Sequence, residues 1–324
     1  MIHLRIVAPP ECAEPALELL TASPSACNVI HLQGAAKRPE GDVILVDIAR
    51  EDGSVLISDL RELGIGERGS IAIEDVDSHI SKYADRAVEA ARGAPADAVV
   101  WEEVSGRTSE DAELSLSFVA FMVLATLIAS VGIFLDTPIL IIGAMVVGPE
   151  FGPIAGFCVA VIQRQRGLAG RSLVALAVGF PVGIAAALAA SLLFKWTGIG
   201  PATFDQSDHQ LARVIASPDF YALFVALCAG TAGMLSLSTA KSGALIGVLI
   251  SVTTIPAAAN IGVAAAYADW AAFRGSLAQL GINLGAILVA GLTTLAIQRL
   301  IYRRRRAKHL RDPERAAAGL PAKR

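Results

Sequence analysis

The stretch GAMVVGPEFGPIAG (143–156) puts one carboxylate, Glu150, among four glycines and two prolines inside an apolar run. A carboxylate in that setting can bind a cation, carry a proton, or accept hydrogen bonds from a neighbouring helix. Keeping it ionised at the centre of a bilayer costs at least about 2.5 to 3.5 kcal/mol, so it must face protein, water or a partner, or be protonated. Pro149 and Pro153 each remove a backbone donor, and Gly148 and Gly152 precede them. A helix broken at midplane is expected, with carbonyls left for ions, water or side chains. The plainer alternative is a tolerated kink with Glu150 bonded to a neighbouring helix. A second apolar segment, GVLISVTTIPAAANIG (247–262), is interrupted by Pro256 and carries Thr253, Thr254 and Asn260, while Asn283 follows in GINLG (281–285). These oxygen-bearing side chains suit the lining of a path for an ion or small solute. Together with Gly148, Pro149, Glu150, Gly152, Pro153 and Pro256 they form the candidate site.

Enzyme chemistry is not expected. Asp136 is the obvious second acid, but it falls at the outer edge of the apolar segments rather than near Glu150, and no Ser/His, Cys/His, zinc or P-loop arrangement occurs. Cys12, Cys27, Cys158 and Cys228 form no close pair, so neither a metal, a cofactor nor a disulfide is expected. His3 and His31 read as strand residues and His209 as a solvated loop residue.

The elements that must hold the site are apolar helices. With 54% hydrophobic and 18% charged residues over 324 positions and a mean hydropathy of +0.57, the chain exceeds the apolar content of ordinary globular domains. Six windows can cross about 30 Å of hydrocarbon: 115–135, 138–162, 171–194, 218–239, 242–266 and 277–301. If they alternate, Arg164, Arg166, Arg171, Lys241 and Arg303 to Arg306 share one side, and Lys195, Arg213 and Arg274 lie opposite. The positive-inside rule then places both termini in the cytoplasm, in the inner membrane. The basic run at 303–306 reads as a topology signal and an anchor for anionic lipid, and a nucleic-acid partner is not expected.

The membrane part also resembles itself. Gly143/Gly247, Pro153/Pro256, Gly179/Gly281 and Gly183/Gly285 are 104, 103, 102 and 102 residues apart. Three spans per copy would invert the second copy, as in the 3+3 inverted repeats of many transporters, whose broken helices meet near midplane.

Ahead of the spans, no basic segment followed by an apolar run marks a signal peptide. Short apolar runs at 3–8, 28–33, 42–49 and 69–76 read as strands, and 14–23 and 53–66 as helices, the latter ending at Gly64. The order βαββαβ is that of a ferredoxin-like α+β domain over 1–76, placed on the cytoplasmic side. A connector over 77–114 follows, with a helix at 78–92 and a segment from Trp101 that lies along the headgroups or packs on the soluble domain. The transmembrane domain is 115–301, and 302–324 a basic cytoplasmic tail.

The runs VGIFLDTPILIIGAMVVGPEFGPIAG (131–156), AGTAGMLSLSTAKSGALIGVLISVTTIPAAANIGVA (229–264) and QLGINLGAI (279–287) resemble the DUF389 family of bacterial and archaeal hydrophobic membrane proteins. The chain departs from the family pattern at Glu150-Phe151, where many members carry a Leu-Met-type pair, and at Ile255-Pro256, where many carry two prolines. The resemblance implies an architecture and leaves the chemistry to these residues. Two readings follow. One is a transporter or channel for an ion or small solute with its site at the broken helices. The other is a homo-oligomeric sensor or scaffold, assembled through small-residue faces such as Gly179 to Gly183, whose cytoplasmic domain binds a metabolite or partner.

Overall fold

A computed structural model describes residues 1–76, 78–91, 98–205, 208–239 and 254–311. Thr253, Gly247 and Lys241, and the first half of the window 242–266, lie outside the described residues. Two compact units are distinguished. One holds Met1–Val104, Ser238 and the end of the last helix from Gln298, and the other holds Ser105–Leu237 and a final portion ending at Ile297.

The first unit begins β1 (Ile2–Ala8), α1 (Pro10–Ala22), β2 (Ala26–Lys37), β3 (Glu40–Ile48), α2 (Arg50–Glu62), α3 (Ile65–Arg68) and β4 (Ser70–Asp75). All pairings are antiparallel, in the order β2-β3-β1-β4. Apart from the one-turn helix α3, that is the element order read from the sequence. Period-two alternation explains the sheet: Ile2, Leu4 and Ile6 in β1 and Ile44, Val46 and Ile48 in β3 turn to one face and are fully buried with Leu20, Leu56 and Leu60 of the helices. α1 starts earlier than its apolar spacing indicates because Pro10 fits the first helical turn, where its missing N–H would have no partner. Gly64 ends α2 in the left-handed region at φ 84°, as expected of a C-terminal glycine.

This unit is larger than 1–76. After α4 (Lys82–Ala90), α5 (Trp101–Asp111) begins inside its core. Val100 and Trp101 are buried, the Trp101 amide donates to Ser54 Oγ at 2.8 Å, and Arg50, itself buried, bridges Asp75 and Glu103. Trp101 is therefore a packing residue and not a headgroup anchor.

In the second unit come α6 (Leu116–Phe134), α7 (Pro138–Val147), α8 (Phe151–Gln163), α9 (Arg166–Thr197), α10 (Gln210–Ile215), α11 (Phe220–Ser238), α12 (Ile255–Ala266) and the start of α13 (Trp270–His309). Among the described residues α6, α9, α11 and α13 are each long and apolar enough to cross a membrane, and α7 with α8 makes a fifth candidate span, bent by 48° at its break. These apolar helices mark a membrane protein. The windows 115–135, 171–194, 218–239 and 277–301 coincide with or fall inside single helices, 138–162 is the bent pair, and α12 is the described part of the fifth window.

Close helix approach rests on glycine. A Cβ on Gly179 or Gly183 of α9 would meet Phe118 or Thr126 of α6, and one on Gly262 of α12 would meet the α9 backbone at 2.7 Å. The Gly179–Gly183 face is thus filled within the chain and is not free to join copies, which corrects the assembly face expected from the sequence. Their proposed counterparts Gly281 and Gly285 have nothing within 4 Å among the described residues.

The basic tail is also reassigned. α13 continues to His309, and its last turns belong to the first unit. Arg306 donates to Asp59 at 2.5 Å and to Glu62 at 3.0 Å, His309 contacts Asp59 at 2.7 Å, and Arg305 donates to the carbonyl of Glu51 at 2.6 Å. Two of the four arginines read as lipid anchors are thereby bound to α2. Arg303 and Arg304 are exposed.

Candidate functional site

Pro149 and the carbonyl geometry around it end α7 at Gly148, and α8 restarts at Phe151 with Glu150 as its N-terminal cap residue. Pro153 falls in the first turn of α8, where a missing N–H costs nothing, so the break belongs to Gly148–Pro149 alone. α12 starts in the same manner: Thr254 is its cap residue and Pro256 stands in its first turn. The two breaks meet. Thr254 Oγ1 donates to Glu150 Oε1 at 2.5 Å, both side chains are buried, and Glu150 Oε2 has no donor from any other described residue.

Gly148 makes room for this contact. A Cβ there would strike Glu150 Oε2 and come within 2.7 Å of Ile255 Cγ1. Gly152 and Gly156, one and two turns further along the same face, let the end of α5 lie against α8, since a Cβ on Gly152 would sit 2.7 Å from Asp111 Cβ and one on Gly156 would sit 2.9 Å from Ala112 Cβ. The four-residue glycine spacing is therefore a packing device around the break. Gly148→Ala is expected to destabilise the protein by about 1 to 3 kcal/mol through overpacking, seen as a lower melting temperature in detergent, whereas Gly143→Ala, with no described residue within 4 Å of its added Cβ, is expected to change little.

Two cavities are lined by residues next to the two breaks. A cleft of about 420 Å³ is lined by Gly148, Pro149, Phe151 and Gly152 on one side and by Glu110, Asp111 and Glu113 on the other. Burial, reinforced by Glu110, pushes the Asp111 carboxyl above its ordinary range, with Arg107 opposing. A second cavity of about 500 Å³ is lined by Pro256 and Ala257 at the start of α12, by Gln279 and Asn283 of α13, and by Arg213 and Asp219 near α10. The two lie at opposite ends of the helices. The cleft touches Leu237 at the end of α11 and Ser115 to Phe121 at the start of α6, whereas the second cavity touches Tyr221 and Val225 at the start of α11. A helix of 19 residues, as α6 and α11 both are, is about 28 Å long. Asp136, just past the far end of α6, accepts from the amides of Gln210 and Leu211 and so ties α10 to that end. Its role is to cap a helix, away from Glu150.

The other candidates sort accordingly. Gly148, Glu150 and Thr254 converge, Pro149 and Gly152 face the acidic cleft, and Pro256 and Asn283 reach the second cavity. Pro153 is buried within α8. Asn260 lies further along α12, donating to Ser276 Oγ at 2.8 Å and bridging α12 to α13. Thr253 lies outside the described residues. Gln279 was missed: it is 5% exposed, donates to Asn283 Oδ1 at 3.0 Å, and keeps an Oε1 with no partner among the described residues. Two amides four residues apart on an apolar helix were the available signal. His209 stacks on Phe204, and His3 and His31 pair with Asp47 and Asp42.

Residues 145–289 match the family model described as Domain of unknown function (DUF389). The resemblance seen in the motifs is borne out over that segment, which contains Glu150, Thr254, Gln279 and Asn283 but not the cleft acids at 110–113. A protein of Methanocaldococcus jannaschii, described as uncharacterized, is 27% identical over 197 residues, covering 59% of this chain and 58% of the relative, so the match spans less than two thirds of that protein. No solved structure matches at a comparable level.

Proposed function

We propose, from the premise that its membrane core is a DUF389 segment, that this protein is an ion-linked transporter or channel for an ion or small solute, with Glu150 as the ion-handling group. One observation carries the reading: a buried carboxylate, with one oxygen held by Thr254 and the other lacking a donor from any other described residue, sits at the meeting of two helix breaks whose neighbouring residues line two cavities at opposite helix ends. An acid at that depth is costly, and a tolerated kink needs none. Its second oxygen, which no other described residue donates to, can take a proton or a small cation, and the N-terminal ends of α8 and α12 meet there. The acidic cleft would concentrate cations on its side.

The same reading includes a 3+3 inverted repeat with six crossings. Glu150 and Thr254 are 104 residues apart, the offset of Gly143/Gly247 and within two of the other glycine and proline pairs, and each occupies the N-cap position of its helix. Equivalent positions that touch lie on the pseudo-two-fold axis relating the copies. Arg166 and Arg171 share a recess with Glu113, and Arg171 donates to Ser109, so the cations lie at the cleft's end of the helices. By the positive-inside rule that end is cytoplasmic, with both termini, in the inner membrane. The N-terminal ferredoxin-like domain would regulate the path, no enzymatic step is involved, and a homo-oligomer would form through faces other than Gly179–Gly183.

The test uses single cysteines and reconstituted flux. Cysteines at Glu113 and Ser217 are expected to react with a membrane-impermeant thiol reagent from opposite faces only, and reaction of both from one face would overturn the two-sided path. Proteoliposomes should show a pH- or cation-dependent flux. Absence of flux for protons, common cations and small anions at both voltage signs would leave the sensor reading in its place.

A further inference from the structure

The first unit contains a second group of polar atoms that lack donors, independent of Glu150. Glu51, in the first turn of α2, is 6% exposed, and neither carboxylate oxygen receives a hydrogen bond from another described residue. It lines a cavity of about 230 Å³ together with Val99, Gln298, Ile301, Tyr302 and Arg305. Gln298 gives its Nε2 to Ser238 Oγ at 2.8 Å, which leaves Oε1 buried and without a partner among the described residues. The two residues that carry these three acceptor atoms thus line one small cavity. Arg305 does not serve them, since its Nη1 donates to the main-chain carbonyl of Glu51.

A buried acceptor without a donor is unfavourable, and a buried unpaired carboxylate more so, which makes the arrangement one that a donor-rich cation would complete. Burial, reinforced by Asp52, pushes the Glu51 carboxyl above its ordinary range, against its own amide, Arg305 and the N-terminus. The rest of the lining narrows the class. Val99 and Ile301 offer apolar walls and Tyr302 an aromatic face, which suit an alkyl chain and a cationic head. A single carboxylate beside an arginine suits a divalent metal poorly, and no cluster of three metal-ligating side chains occurs among the described residues.

The geometry points to the Glu51 cavity as a binding site for a small primary alkylammonium, its –NH₃⁺ donating to both Glu51 carboxylate oxygens and to Gln298 Oε1, with its alkyl part against Val99, Ile301 and Tyr302. An –NH₃⁺ group has three donors, one for each acceptor. The cavity is lined by the end of α13 as well as by α2, so occupancy would brace the contact between these two helices.

Calorimetric titration of the purified full chain in detergent with n-propylammonium, and with potassium and magnesium at matched ionic strength, tests this. Saturable heat and a raised melting temperature are expected with the amine alone. Glu51→Gln, isosteric and still folded by circular dichroism, should weaken binding by about tenfold or more, because a charged hydrogen-bond partner is lost. Equal binding in wild type and Glu51→Gln, stronger binding of magnesium, or no saturable binding of the amine would each overturn the assignment. Should Glu51→Gln fail to fold, Gln298→Leu takes its place, with weaker amine binding expected and unchanged binding overturning the proposal.

Discussion

Glu150→Gln is expected to leave a folded, membrane-inserted protein whose flux no longer depends on pH or on the coupling cation. The amide keeps the size of the carboxylate, and its oxygen can still accept from Thr254 Oγ1, so the junction of α8 and α12 should hold. What is lost is, among the described residues, the group at the junction that can exchange a proton or balance a cation there. Stopped-flow measurement in proteoliposomes should find the pH-dependent component at the level of empty vesicles, with melting temperature equal to or above that of wild type, because a costly buried acid has been removed. Glu150→Leu should behave similarly. A variant that keeps the wild-type pH dependence would show that the carboxylate is a structural hydrogen-bond acceptor and that the ion path lies elsewhere.

The second large effect is one of stability. Asp59 is fully buried in α2 and accepts from Arg306 and His309 at the end of α13. Burial alone would raise its carboxyl, but the hydrogen bond from His309 and the charge and hydrogen bond of Arg306 outweigh it and hold the group below its ordinary value. Arg306→Ala leaves that carboxylate short of its main partner, a loss on the order of 3 to 5 kcal/mol for a buried pair. Arg303→Ala, at an exposed position, should change melting far less. A group with a lowered folded pKa contributes stability above its unfolded value of about 3.9 and loses it as pH falls through the folded one, so the gap between wild type and Arg306→Ala should be full at neutral pH and close below about pH 4. Thermal melts of both proteins across that range check the magnitude and the sign.

How far the sequence could lead differs by residue. Glu150 and the breaks around it were legible because an acid and prolines in an apolar run have few physical outcomes, and the 104-residue offset even foreshadowed which segment Glu150 meets. The strands of the first unit were legible from alternation. Trp101 was not, since an amphipathic ring suits a headgroup layer and a protein core equally, and it takes partners such as Ser54, Arg299 and Tyr302 to distinguish them. The arginines at 303–306 misled for a related reason. A basic run next to an apolar span predicts a side of the membrane, but it carries no record of an acid such as Asp59 more than two hundred residues away. Gly179 and Gly183 announced a close helix approach without saying whether the approaching helix would be α6 or another copy.

The spaces at either end of the Glu150–Thr254 contact also bear on how the protein would feel voltage. On the proposed reading, water entering a cleft of about 420 Å³ from one end and a cavity of about 500 Å³ from the other would carry each face's potential inward. The remaining drop would then be concentrated on the short dry layer around Glu150 rather than spread over the full hydrocarbon thickness. A charge crossing that layer would do nearly the whole electrical work of a transmembrane passage, about 2.3 kcal/mol per 100 mV, while moving only a few residues' length. Transport by such a protein would be electrically steep even though its moving parts travel little.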